Sequence, residues 1–307
     1  MPNTQVMIGV ALSVGACFVN ALGLNVQRYA KVHKRDGLNV GGVVLSACAG
    51  ILDMVSFSFA PQSMLAPLGA LTLVCNMLLA SLFDKTASLS RWDYFGTGII
   101  ISGVVKCVLS SLETPEADAF DGPGLVAFVT RRDALAYVGT VAALVAALVA
   151  LMRSLEAGAR ARGGCVEPPF AAVYPAIAGA LCSLTVLGAK FSGEVVKAGG
   201  PAAAGWPAFG AGWAATIGGA VGQAFFLNRG LGQCGPLLVV PVFSACAVLF
   251  NTAGGAFFWG ELSAWTAAQA RAVPVACLCV CGGVYVLVSK ATQKERAEKA
   301  AAAKKKE

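Results

Sequence analysis

Apolar residues gather along this chain in nine blocks, at residues 5–27, 40–60, 64–83, 95–112, 133–152, 170–191, 207–228, 236–258 and 271–289. Each is close to the ~20 residues a helix needs to cross a hydrocarbon core. Backbone N–H and C=O groups find no water there, so a spanning segment must satisfy them within itself, as a helix. The pattern predicts an all-α membrane protein with nine transmembrane helices. The few polar side chains inside those blocks then become the functional candidates, because each is costly in lipid unless it meets a partner or a cavity.

Composition strengthens this picture. The chain is 57% hydrophobic and only 13% charged, against about 25% charged in ordinary soluble domains. Its 36 glycines suit a tightly packed helix bundle, in which small residues let backbones approach. With 307 residues, nine helices leave no room for a separate soluble domain.

Charge sets an orientation. The net charge is +7, but it is distributed by loop rather than as a nucleic-acid patch. Seventeen of the 23 basic residues fall on one side: Arg28, Lys31, Lys34, Arg35, Lys85, Arg91, Arg153, Arg160, Arg162, Arg229 and seven in the tail after residue 289. Four fall on the other, Arg131, Arg132, Lys197 and Arg271, while Lys106 and Lys190 lie within helices. The positive-inside rule predicts an outside N-terminus and a cytosolic C-terminus. Residues 1–7 contain no basic residue, which favours an uncleaved first helix over a signal peptide. Nine of the eleven cysteines fall in predicted helices, and Cys165 and Cys234 in cytosolic loops, so no structural disulfide is expected. Cys277, Cys279 and Cys281 read as packing residues, since the helical turn points Cys279 away from the other two.

The pattern also repeats. Segments 63–85 and 237–261 are both long apolar helices with a proline near the start, Pro67 and Pro241, and each is followed by a tryptophan, Trp92 and Trp265. The prolines are 174 residues apart and the tryptophans 173. With nine helices the two segments run in opposite directions, as inverted-topology transporter repeats require. The predicted organisation is a four-helix repeat over 1–112 and an outer linker over 113–132, marked by Thr114-Pro115 and Gly122-Pro123-Gly124. A five-helix repeat over 133–289 and a basic cytosolic tail over 290–307 complete it. The alternative is two unrelated proline-containing helices.

The run from Phe59 through Pro67 to Leu71, FAPQSMLAPLGAL, resembles the FAPATLVTPLGAL signature of NIPA-type magnesium transporters, in the drug/metabolite transporter (EamA-type) superfamily. Ala189-Lys190, the run Gln223–Arg229, the run Leu238–Phe243 and Gly260-Glu261-Leu262 resemble further family motifs in the same order. The resemblance implies a drug/metabolite transporter fold and movement of Mg²⁺ across a membrane. Mg²⁺ is then the transported ion rather than a cofactor. One departure stands out. Where the family carries a glutamate early in its FAP-preceding segment, this chain has Gly50, and Asp53 stands where the family has asparagine. The carboxylate is displaced by one helical turn.

Asp53 is the leading transport and metal-ligand candidate: a mid-helix carboxylate is a hard oxygen ligand suited to Mg²⁺. The alternative is a structural pairing with Lys106 or Lys190. Lys190 and Glu194 are spaced to face each other on a helix, as a charge gate or as a boundary salt bridge. Asn20, Gln27, Asn76, Gln223, Asn228 and Asn251 are amides that line a path or bond helices together. Pro67 and Pro241 each free a carbonyl, for a cation or merely for a kink. Glu261 follows the eighth helix, gathering cations or anchoring a helix end. Glu113, Glu116, Asp118 and Asp121 in the outer linker raise local cation concentration or simply keep the linker solvated. His33 is the only histidine, and no nucleophile elbow or phosphate loop is present, so an enzyme is not expected. Partners are membrane lipid and a transported ion or small molecule, not nucleic acid. The alternatives are a carrier of a small organic metabolite, with Lys106 and Lys190 holding an anionic group, and a non-transporting scaffold. The resemblance implies plasma or endosomal membrane. The terminal Lys304, Lys305 and Lys306 also resemble a dilysine retrieval signal for the early secretory pathway, with a basic tail at anionic lipid as the alternative.

Overall fold

The computed structural model describes residues 4–83, 91–111, 120–161, 168–234 and 236–304. Lys85, Glu113, Thr114-Pro115, Glu116, Asp118, Arg162, Cys165, Lys305 and Lys306 lie outside the described residues, as do the side chains of Pro241 and Lys304. Among the described residues the secondary structure is helical, with no strand. Helices α1 (Thr4–Val32) and α2 (Asp36–Ser56) are followed by the single turn α3 (Gln62–Leu65). A 3-10 turn (Ala66–Ala70) then leads into α4 (Leu71–Phe83), and α5 (Arg91–Ser111) follows. Next come α6 (Gly122–Val129), α7 (Arg132–Ala161), α8 (Pro168–Ala171), α9 (Val173–Lys197), α10 (Pro201–Ala204) and α11 (Trp206–Cys234). Helix α12 (Pro236–Ala253) ends in a π turn (Gly254–Phe258), and a 3-10 turn (Glu261–Ala264) precedes α13 (Ala267–Lys304).

A helix stands at each of the nine apolar blocks. Seven segments are long and apolar enough to cross a bilayer: Thr4–Gln27, Asp36–Ser56, Gln62–Leu79, Arg91–Ser110, Arg132–Ala161, Val173–Lys197 and Ala267–Leu287. Two blocks are not among the seven. Helix α11 is long enough, but glycine and polar residues dilute its apolar character. In α12, which runs from Pro236, the described apolar stretch is Val242–Phe258.

The predicted outer linker also differs from an open loop. Part of it folds as α6, with Pro123 in its first turn and the Asp121 carboxylate accepting the Gly124 N–H at 3.1 Å. Proline is suited to a first helical turn, where its missing N–H costs nothing. The apolar residues that follow explain the rest. Leu125 is fully buried beside Phe191, Val195 and Trp259. The predicted basic tail is likewise a continuation of α13, which runs to Lys304.

Small residues set the closest helix contacts. A Cβ added at Gly23 of α1 would stand 2.8 Å from the Gly42 carbonyl of α2. One at Gly188 of α9 would stand 2.7 Å from the Gly212 carbonyl of α11, and one at Gly283 of α13 would stand 2.6 Å from that of Gly96 in α5. Such distances exclude any side chain, which is how glycine promotes close helix pairing in lipid. These contacts make α1/α2, α9/α11 and α5/α13 antiparallel. Leu65, Leu68, Ile100 and Val280 form the main core where the broken α3–α4 segment meets α5 and α13.

Candidate functional site

Asp53 projects from α2 into a cavity of about 120 Å³ walled by α1, α2 and the start of α4. Asn20, Ser46 and Thr72 supply oxygen atoms to the wall, while Ala16, Cys17, Ala49, Gly50 and Gly69 keep it open. The Ser13 hydroxyl donates to Asp53 Oδ1 at 3.3 Å, and the Ser56 hydroxyl turns back to the Asp53 backbone carbonyl at 2.6 Å. No Lys or Arg pairs with Asp53 among the described residues. The alternative, a structural pairing with Lys106 or Lys190, is therefore not formed. Lys106 is exposed on α5, and Lys190 is engaged elsewhere.

The 3-10 turn that Pro67 joins brings the backbone close to this cavity. Proline removes a helical hydrogen bond, and the Met64 carbonyl, one 3-10 turn back, accepts the Cys107 thiol at 3.4 Å. The Leu68 carbonyl accepts the Cys17 thiol at 3.3 Å. Both bonds are weak and from sulfur.

A second polar centre surrounds Glu261. Its Oε1 accepts the Lys190 ammonium and the Gln62 N–H, each at 2.8 Å. Its Oε2 accepts the Ser63 N–H at 2.8 Å and the Ser63 hydroxyl at 2.5 Å. Lys190, 8% exposed, also lies 4.8 Å from the centre of the Trp259 ring. Burial pushes the Glu261 carboxyl up, but the Lys190 charge and the Ser63 bonds outweigh it and hold the group below the usual carboxylate range. The expected Lys190–Glu194 pair is corrected here. Glu194 instead bonds Lys197 at 3.2 Å. Local spacing made the first pairing plausible, but folding brings a better acceptor to Lys190 from 71 residues away. Nearby, Gln62 Nε2 donates to the Asn251 carbonyl at 3.1 Å, and Asn251 Nδ2 lies 3.8 Å from the Cys182 sulfur. Gln62 Oε1 and Asn251 Oδ1 are buried without a hydrogen-bond partner.

The sequence profile of the family described as magnesium transporter NIPA matches residues 4–295. The chain belongs to the NIPA family. It is thus a multi-pass integral membrane protein of a transporter family, not an enzyme class. No curated protein and no solved structure matches it.

The other predicted site residues of this NIPA chain are dispersed. Asn20 shares the cavity with Asp53, and Gln27 reaches its rim by donating to Ser46 Oγ at 3.2 Å. Asn76 accepts the Asn25 amide at 2.7 Å, joining α4 to α1. Gln223 is half-buried and Asn228 exposed on α11, away from the cavity. The backbone of Pro241 lies within α12. Ser13, Gln62, Ser63 and Tyr137 were not singled out from the sequence. Tyr137 donates to the Phe250 carbonyl at 2.7 Å beside Ser183. The π turn is the signal that links several of these, since such turns open the carbonyl ladder at functional positions.

Proposed function

We propose that this NIPA-family protein carries Mg²⁺ through the Asp53 cavity by alternating access between two inverted halves. The observation that carries the reading is Asp53 itself, a carboxylate within an apolar helix, opposed by hydroxyl and amide groups rather than by a cation. Mg²⁺ retains much of its hydration and needs only one or two carboxylates, so a single aspartate with neutral oxygen neighbours suits it. Gly50 lines the same cavity, and a Cβ there meets nothing within 4 Å. The family's displaced carboxylate position therefore shares a wall with Asp53. A carrier of organic anions finds no support of this kind, since neither Lys106 nor Lys190 lines the cavity.

Helix pairing supports two inverted halves. Helix α1 packs on α2 and α4, and α9 packs on α11 and α12. Cys17 and Asn25 reach Leu68 and Asn76 in order, so α1 and α4 run parallel. Gly179 meets Cys246 and Ser183 the Phe250 carbonyl in order, so α9 and α12 also run parallel. The end of α12 meets the start of the α3–α4 segment at Gln62 and Ser63, so this pair runs in the opposite sense to α1 and α4. The third member of each set is broken, at the 3-10 turn and the π turn, and the fourth members, α5 and α13, pair with each other. Helix α7 has no counterpart in this scheme. The basic-residue distribution supports an outside Thr4 end and a cytosolic α13 tail, and the family resemblance supports a plasma or endosomal membrane.

The test is uptake into proteoliposomes of Mg²⁺ against other divalent cations and against small organic solutes. Mg²⁺ uptake lost in Asp53→Asn at unchanged protein yield is the expected result. Uptake of an organic solute with none of Mg²⁺ would refute the reading.

A further inference from the structure

We propose that Glu261 is a latch closing the two halves at the Thr4 end of the bundle, with Lys190 holding the latch in place. This rests on the reading of two halves that alternate in access. Glu261 stands just after the broken helix of the second half, yet three of its four bonds come from Gln62 and Ser63, at the start of the broken helix of the first. The fourth comes from Lys190 of α9. One carboxylate therefore ties both breaks together. The two backbones meet closely at this point: a Cβ built on Gly255 of the π turn would collide with the Ser63 amide nitrogen and stand 2.7 Å from Glu261 Oε2.

Other bonds between the halves lie at the same end. The Lys197 ammonium donates to the Ser58 carbonyl just beyond α2 and lies 5.6 Å from the Phe59 ring centre. Gln269 at the start of α13 donates to the Ser110 carbonyl at the end of α5, at 3.1 Å. At the opposite end the bonds seen among the described residues run inside one half. Gln27 joins Ser46, and Asn25 joins Asn76. Glu156 accepts a forked pair from Arg229 at 2.9 and 2.8 Å together with the Tyr174 hydroxyl.

A polar seal suits a mouth that must open. When the halves part, water replaces each broken hydrogen bond, so opening costs only the small net value of the bonds. Apolar packing of the same area would gain no such replacement. Lys190 adds a condition, because with its ammonium removed Glu261 would be a buried charge without a counter-ion.

The experiment uses the full chain in sealed vesicles of known orientation and a membrane-impermeant thiol reagent applied to one face at a time. The readout is the adduct at Cys17, 4% exposed on the cavity wall, measured by mass spectrometry. Glu261→Gln and Gly255→Ala should each raise the Cys17 labelling rate from the Thr4 face roughly fivefold or more. Lys190→Met, which leaves Glu261 a buried charge without a counter-ion, should raise it at least as much, and Lys190→Arg should keep the wild-type rate. Ser63→Ala removes one bond with little risk to folding and should give a measurable increase. Unchanged labelling across variants that purify as folded protein would overturn the latch, as would a rise only from the opposite face. Mg²⁺ takes no part in the assay. If Asp53→Asn carries Mg²⁺ normally, the transport reading fails while the labelling still judges the latch.

Discussion

Two carboxylates of the bundle, Glu261 and Asp53, have opposite surroundings. Glu261 is saturated: an ammonium, two backbone N–H groups and a hydroxyl occupy its two oxygens, each within 2.8 Å. Asp53 has a hydroxyl at 3.3 Å and a cavity in front of it. Burial alone thus does not identify a binding group. A carboxylate whose acceptor capacity is filled by the protein is part of the structure, or of a contact that must be broken. One left with open capacity and no counter-ion is available to a ligand.

The sharpest way to break this contrast is to neutralise the open carboxylate. Asp53→Asn should lower Mg²⁺ uptake about tenfold or more, the rate equivalent of ~1.4 kcal/mol, with expression intact, and Asp53→Glu should retain part of the activity. The cavity makes a stricter demand. Because Gly50 and Asp53 share the wall and Gly50 faces open space, Gly50→Glu placed on Asp53→Asn should restore uptake. A double variant as inactive as Asp53→Asn would show that the position of the charge, not its presence in the cavity, matters.

The saturated carboxylate should respond first in stability. Glu261→Ala leaves Lys190 buried without its partner, a change that costs about 3–5 kcal/mol, and the melting temperature of purified protein should fall accordingly. The same site has a predictable acid limit. Its folded pKa lies below its unfolded one, about 4.3. The stability it adds is therefore complete above ~4.3 and is lost as pH falls through the lower folded value. The melting difference between wild type and Glu261→Gln should stay constant from about pH 8 to pH 5 and shrink only in stronger acid. A difference that shrank already near pH 6 would mean that Lys190 does not hold the charge.

The contrast between the carboxylates was only half legible in the sequence. Helix positions were clear because each block of apolar residues is long, and Pro67 marked a real break. Asp53 and Asn20 were recognisable as polar groups in an apolar helix. Ser46, Thr72 and Gly69 were not, because small residues that open a cavity look the same as those that pack helices. Glu261 followed a helix end and read as an outer group that gathers cations or anchors that end. Its bonds to Gln62, Ser63 and Lys190 join positions far apart in the chain, which no local spacing encodes. The π turn beside it had only Gly254-Gly255 as a trace, and α6 was hidden by a Gly-Pro-Gly run that reads equally as a turn or as a helix start.

A milder test concerns the amides that belong to neither carboxylate. Asn25 is 4% exposed and gives its amide to Asn76 at 2.7 Å, holding α1 to α4. Interhelical bonds of this kind are worth about 0.6 kcal/mol on average in lipid, with a maximum near 1.7. Asn25→Ala should therefore lower the melting temperature slightly and leave Mg²⁺ uptake per folded molecule unchanged, since neither asparagine lines the cavity.

The smallest effect is expected at Asn228, exposed on α11, outside the lining of the Asp53 cavity and not among the groups bonded to Glu261. An exposed amide without a structural partner changes stability by only about 0.5 kcal/mol when removed, so uptake by Asn228→Ala should stay within about twofold of wild type. Lys106→Ala, also exposed, should behave alike. This outcome separates a path confined to the Asp53 cavity from one that follows every polar residue in the helices. A loss of uptake in either variant as large as that of Asp53→Asn would place the path along α11 or α5, and the open carboxylate of α2 would no longer mark it.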